Sequence, residues 1–142
     1  MIQLETNWSF VSDGEEKPDG FSFAGIAAGL KDSNKKDLAL ILAPENSICS
    51  GLFTQSIVRA SCVDICEQRI KKSSGLIRAI LINSGQANAC TGDYGIQHTL
   101  FATKEVSQLL GINEEEVLMC STGVIGIPVS YTHLTLPTTS MV

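Results

Sequence analysis

The chain has 142 residues, 44% hydrophobic and 18% charged, with a formal net charge of −5 and a pI near 4.9. That length suits one ordinary domain, which buries about two-thirds of its unfolded surface. The acidic balance excludes a nucleic-acid binder that works through phosphates, since such proteins cluster Lys and Arg; the dense basic spots, Lys35-Lys36 and Lys71-Lys72, read as solvated turns or helix ends.

No run approaches the ~20 apolar residues of a membrane span. The start, Met1-Ile2-Gln3-Leu4-Glu5, lacks the basic and apolar regions of a signal peptide. Five cysteines at irregular spacing (Cys49, Cys62, Cys66, Cys90 and Cys120) then predict reduced thiols and a cytoplasmic protein. Cys62 and Cys66 stand one helical turn apart with no nearby His or Cys to complete a zinc set, so no metal site is expected.

Residues 1–19 are polar and turn-rich. Phe21 to Leu30 reads as a strand with Gly25 and Gly29 inside it, and internal glycine suggests close backbone approach or a bulge. Asp37 to Ala43 is a continuous apolar run, the pattern of a strand covered on both faces. Pro44-Glu45-Asn46 breaks it, and Ile48 to Thr54 is a further strand candidate. From Val58 to Lys72 the period changes: Val58, Cys62, Ile65, Cys66 and Ile70 fall on one face of a helix. Leu76 to Ile82 predicts another strand.

The motif Asn83-Ser84-Gly85-Gln86-Ala87-Asn88-Ala89-Cys90-Thr91-Gly92 follows directly. Asp93 to Leu110 predicts a helix with Ile96, Leu100, Val106 and Leu110 on its buried face and Gly111 as a left-handed C-cap. Asn113 to Glu116 has capping-box spacing. Val117 to Cys120 predicts a strand that runs into Ser121-Thr122-Gly123-Val124-Ile125-Gly126. Strands first, then two strand–helix passages, predict an α/β or α+β fold with a mixed sheet.

After Pro128 the text changes. Val129 to Val142 has no Asp, Glu, Lys or Arg and continues no helix or strand pattern. It looks like the translation of a sequencing adapter. Residues 129–142 are therefore expected to be an artefact tail, and residues 1–128 the start of a longer protein; the plain alternative is a genuine Thr-rich C-terminal strand. Tyr131 and His133 receive no role.

Two glycine-containing motifs at strand ends leave backbone N–H groups open to a ligand. Cys90 near a helix start is a candidate nucleophile, against the plainer reading of a small buried filler; His98 lies about two turns along and reads as a surface or half-buried helix residue. Gly85 to Gly92 lacks the Lys-Ser/Thr of a phosphate loop. Asp93 would repel an anion there and suits a helix cap. At Ser121-Thr122-Gly123, a Thr hydroxyl beside a Gly N–H offers two donors that can converge on one oxygen, the construction of an oxyanion hole. The plain alternative is a strand-to-loop turn.

Residues from about 20 to 128 resemble the N-terminal part of the ornithine acetyltransferase / glutamate N-acetyltransferase family of arginine biosynthesis. The resemblance is carried by Gly20-Phe21 with Gly25-Ile26, Asp37 to Ile41, Gly51-Leu52-Phe53-Thr54, Arg78-Ala79-Ile80, Asn83 to Gly92 and Ser121 to Gly126. Gln86 and Leu52 are mild departures from the usual Asn and Val.

It implies an α/β sandwich related to the self-processing aminopeptidases, and a precursor that cuts itself before a Thr to give two chains. That freed Thr takes acetyl from N-acetylornithine and passes it to glutamate. Some members also use acetyl-CoA as co-substrate, and no cofactor is implied. By the same resemblance Thr122 and Gly123 form the oxyanion hole. The family's nucleophilic Thr sits in an Ala-Thr-Met-Leu-type segment several tens of residues further on, which has no counterpart here. The second chain of the precursor is thus the expected partner, and the 142-residue chain alone is expected to be inactive. The alternatives are a self-processing aminopeptidase relative and a non-enzymatic α/β binding module.

Overall fold

Two-residue alternation and helical spacing resolve into four strands and two long helices in a computed structural model that describes residues 18–32 and 35–127. The readings of residues 1–17 and 129–142 lie outside the described residues. The elements run β1 (Ser22–Ile26), β2 (Leu38–Leu42), α1 (Ser61–Lys72), β3 (Ala79–Gln86), α2 (Gly92–Leu110), a 3-10 turn (Glu114–Glu116) and β4 (Val117–Val124). The sheet order is β1-β2-β3-β4, antiparallel except for the parallel β3–β4 pair. The mixed sheet matches the expected class. α2 supplies the crossover that a parallel pair requires.

Alternate residues of β2, β3 and β4 meet the helices. Leu38, Leu40, Ala79, Leu81, Val117 and Met119 form one buried core with Cys62 of α1 and Ala102 and Val106 of α2. Each Leu, Val or Met side chain among them contributes about 1.5–3 kcal/mol by leaving water, and the alanines less. The opposite face is different. Phe23 pairs with Ile41, Ala39 with Ile82, and Ile82 with Cys120. Phe23 and Cys120 are exposed, and Ala39, Ile41 and Ile82 only half-buried. Cys49 and Phe53 close only one end, around Ile77, Ile80 and Leu118. The continuous apolar run of β2, expected to be covered on both faces, is covered on one among the described residues.

Helix α1 lies along the outer edge of β4 and answers its unpaired backbone groups. Arg69 Nη1 donates to the Val117 carbonyl at 2.6 Å. The Cys66 thiol donates to the Met119 carbonyl at 3.3 Å and accepts from the Met119 N–H at 3.4 Å. Burial pushes the Cys66 thiol up to about 11, so it stays protonated and able to donate. Burial also pulls Arg69 down from its usual value, against the pull of Glu114, whose carboxylate lies 2.8 Å from Nη2. An edge strand left bare would invite pairing with another chain.

Other sequence expectations change as well. Ile48 to Thr54 forms no strand, only a single bridge from Ile48 to Leu76; with no neighbouring strand, Ile48 and Leu52 stay exposed. Strands β3 and β4 run further than expected, through Asn83–Gln86 and Ser121–Val124, so both motifs begin inside the sheet. On α2 the buried face is Gly95, Thr99, Ala102, Thr103, Val106 and Ser107, while Ile96 and Leu100 are exposed. The hydroxyls of Thr99, Thr103 and Ser107 bond carbonyls of their own helix at 2.9, 3.0 and 2.7 Å. They therefore enter the interior already satisfied, and short side chains let the helix approach closely. Gly111 does close α2 in the left-handed conformation, and the Asn113–Glu116 capping box forms. No helix of the described residues is long and apolar enough to cross a membrane.

Candidate functional site

The two motifs lie side by side. In the parallel β3–β4 register Asn83 faces Ser121, Ser84 faces Thr122, Gly85 faces Gly123 and Gln86 faces Val124. Gly85 and Gly123 both adopt positive φ, 135° and 134°. A Cβ on Gly123 would stand 2.2 Å from the Gly85 carbonyl carbon and 2.6 Å from the Gln86 nitrogen. Only glycine allows the two backbones to meet this way. The Ala87 N–H then donates to the Val124 carbonyl, and the Gly126 N–H to the Ala89 carbonyl, both at 2.9 Å, which ties the two chains together past the sheet. Side chains alternate along β4, so Thr122 lies opposite the helices with Cys120, exposed beside the uncovered sheet face.

Asp37 builds the third side of the site. Its buried carboxylate accepts the Ala28 N–H at 2.6 Å and the Lys31 N–H at 3.0 Å, folding the β1–β2 loop back on itself. Its own carbonyl accepts the Ser84 N–H at 2.8 Å, one residue before Gly85. Burial works to raise this carboxyl, but backbone N–H groups of Ala28, Lys31, Leu30 and Asp37 outweigh it and hold it below the usual carboxylate value of 3.8. A depressed folded-state pKa adds stability above the unfolded value that is lost as pH falls through the folded one. Acid unfolding should therefore lose this contribution progressively below about pH 4, and Asp37→Asn should flatten that part of the curve; equal acid midpoints and slopes would contradict the assignment.

Between the loop and the strand ends opens a cavity of about 680 Å³, walled by Leu30, Lys31, Asp32, Ser84, Gly85, Gln86, Thr122, Gly123, Val124 and Ile127. The structure thus brings the expected donors Thr122 and Gly123 to one cavity wall. Sequence reading missed Lys31 and Asp32. Nothing local marks them, because they reach the site only through the Asp37 tether.

The remainder of the first motif is structural. Asn88 is fully buried with φ 51°. Its amide nitrogen lies 2.9 Å from Ser61 Oγ, 3.0 Å from the Gly95 carbonyl and 2.9 Å from Thr99 Oγ1; its side-chain oxygen accepts the Thr91 hydroxyl at 3.0 Å. One side chain therefore joins the loop to both helices. Gly95 admits it, since a Cβ there would stand 2.7 Å from Asn88 Oδ1. Asn88→Ala should cost about 2–4 kcal/mol, several buried partners losing their bonds at once. A denaturation midpoint close to that of the unmodified chain would contradict this.

Cys90 is not the buried filler expected: it is exposed, at φ 57°, in the turn before α2. His98 is half-buried with its ring 4.1 Å from that of Tyr94. Asp93 lies in the first turn of α2 rather than capping it, and Thr91 occupies the cap position. Among the described residues no group of three or more His, Cys, Asp or Glu could hold a metal ion.

Comparison with known proteins adds the following. A sequence model of the ArgJ family matches residues 22–141. The chain is 95% identical over 124 residues to an arginine biosynthesis bifunctional protein ArgJ from Prochlorococcus marinus subsp. pastoris, covering 87% of this chain and 31% of that protein. It is 53% identical over 126 residues to the protein of the same name from Parasynechococcus marenigrum, covering 89% and 31%. This chain therefore spans about a third of the length of these relatives. Among solved structures, an arginine biosynthesis bifunctional protein from Bacillus halodurans superposes with a TM-score of 0.74 at 32% identity, over 78% of this chain and 57% of that one. The ornithine acetyltransferase of Mycobacterium tuberculosis, complexed with ornithine, gives 0.74 at 38% identity over 79% and 60%.

Proposed function

Since this chain belongs to the ArgJ family, we propose that it forms the oxyanion-binding part of a longer enzyme that moves acetyl from N-acetylornithine to glutamate in arginine biosynthesis. The observation that carries the reading is the Gly85–Gly123 pairing, which sets Thr122 and Gly123 at the wall of an open cavity. A threonine from the part of the protein this chain does not span attacks the acetyl carbonyl carbon. As the C–O bond forms, the carbonyl oxygen becomes an oxyanion, and the Thr122 hydroxyl and Gly123 N–H donate to it. Donors fixed in advance stabilise that charge without reorganising. Collapse expels the ornithine amine, which takes up the proton given up by the threonine hydroxyl, and leaves an acetyl ester on the threonine. Glutamate's neutral amine then attacks the ester through a second oxyanion in the same place, and collapse returns a proton to the threonine oxygen and releases N-acetylglutamate. We read the word bifunctional in the relatives' names as acetyl-CoA serving as a second donor.

The uncovered sheet face fits the same proposal. Phe23, Ile41, Ile82 and Cys120 present an apolar surface that the second chain of the processed precursor would cover, giving a complex of two chains in the cytoplasm. We further propose that residues 129–142 are adapter-derived, although the ArgJ family match runs on to residue 141. An independent clone should then read on past codon 128 to an Ala-Thr-Met-Leu-like segment, and a frame that keeps residues 129–142 contradicts this. The direct test is an assay of acetyl transfer from N-acetylornithine to glutamate. The full-length protein should turn over and the 142-residue chain should not; no transfer by the full-length protein, or transfer by the short chain, contradicts the proposal.

A further inference from the structure

Three segments wall the cavity beside Thr122 and Gly123, and only one carries charge. The strand ends contribute Ser84, Gly85, Gln86, Thr122, Gly123 and Val124, all neutral. Lys31 and Asp32 of the β1–β2 loop, adjacent in sequence and opposite in sign, supply every charged side chain on the described wall. This loop is held in place. The Asp37 carboxylate grips the Lys31 N–H, and the Asp37 carbonyl grips Ser84.

The Lys31 stem also rests on the site itself. A Cβ on Gly85 would stand 3.3 Å from Lys31 Cγ and 2.8 Å from the Leu30 carbonyl oxygen. Gly85 is the register partner of Gly123. A lysine packed by its stem keeps its ammonium in solvent, and Lys31 makes no salt bridge among the described residues.

We propose that Lys31 and Asp32 are the recognition rim for the acetyl donor N-acetylornithine: the Lys31 ammonium takes its carboxylate and the Asp32 carboxylate takes the ammonium at the end of its side chain. A simple anion entering here meets Asp32, and a simple amine meets Lys31. A zwitterion satisfies both, because opposite charges on the wall match opposite charges on the ligand. The inference rests on the function proposed above and deepens it. Both residues bind and orient; neither touches the reacting carbonyl.

The test is kinetic, in the full-length enzyme. Lys31→Gln should raise KM for N-acetylornithine about tenfold or more while kcat stays within about threefold, the pattern of a lost binding contact. Lys31→Arg should recover most of the loss, and Asp32→Asn should also raise KM. Ornithine binding by titration calorimetry, which needs no turnover, should weaken in Lys31→Gln by a similar factor. Unchanged KM and unchanged ornithine affinity in Lys31→Gln, or a loss confined to kcat, overturns the rim while leaving the acetyltransferase reading intact. A full-length enzyme with no acetyl transfer at all overturns both.

Discussion

Replacing Thr122 by alanine in the full-length enzyme is expected to lower kcat by about 10²–10³-fold with KM little changed, the usual cost of removing one oxyanion donor. The split follows from when the contact matters. A ground-state carbonyl oxygen carries little charge, so in the proposed role the Thr122 hydroxyl contributes most once the oxyanion has formed. Stability should move little, because Thr122 lines the cavity and is no part of the packed core. Thr122→Ser, which keeps the hydroxyl, should retain most of the rate. A Thr122→Ala enzyme with an unchanged kcat would remove Thr122 from the site, and one with a lower melting point and a proportionate loss of soluble protein would make it structural.

Gly123→Ala should fail differently, by unfolding. The added methyl would sit 2.2 and 2.3 Å from the Gly85 carbonyl carbon and oxygen, and 2.6 Å from the Gln86 nitrogen. All three are backbone atoms of a paired strand and cannot rotate away. To the clash is added the strain of φ 134°, which non-glycine residues avoid. Strain of about 1–3 kcal/mol and overpacking of about 1–3 kcal/mol together approach the whole margin of a marginally stable fold. Gly92→Ala is the control. Gly92 also has a positive φ, 57°, but a Cβ there meets nothing within 4 Å. It should cost only about 1 kcal/mol. Denaturant midpoints measured side by side decide it: equal losses at the two positions would show that the backbone contact between the motifs is not what demands glycine.

The contrast between these glycines marks how much the sequence disclosed. Apolar periodicity found every strand of the sheet and both helices, because burial on one face leaves a period of 2 or 3.6 in the chain. It misplaced the buried face of α2, where Thr99, Thr103 and Ser107 bury polar side chains that satisfy themselves and so leave no apolar signal. It over-read Ile48 to Thr54, whose apolar residues find no partner strand among the described residues. At the site, Thr122 and Gly123 were legible as a motif. Their neighbours were not: Lys31 and Asp32 stand about ninety residues away in sequence, joined to the motif by a buried carboxylate and a glycine contact that only folding creates. Asn88 was visible as part of a motif, but its role in tying α1 to α2 depends on long-range bonds to Ser61 and Thr99.

In the proposed site Thr122 and Gly123 polarise an acyl carbonyl, and infrared spectroscopy reads that polarisation directly. Full-length enzyme acetylated by carbonyl-labelled N-acetylornithine, without glutamate, should hold an acetyl ester whose C=O stretch lies at lower frequency than that of a free ester in water. In Thr122→Ala the band should move back toward the free-ester position. A labelled carbonyl at the same frequency in both proteins would mean that Thr122 does not contact the acyl oxygen, and that the strand-end pair is a structural joint rather than an oxyanion hole.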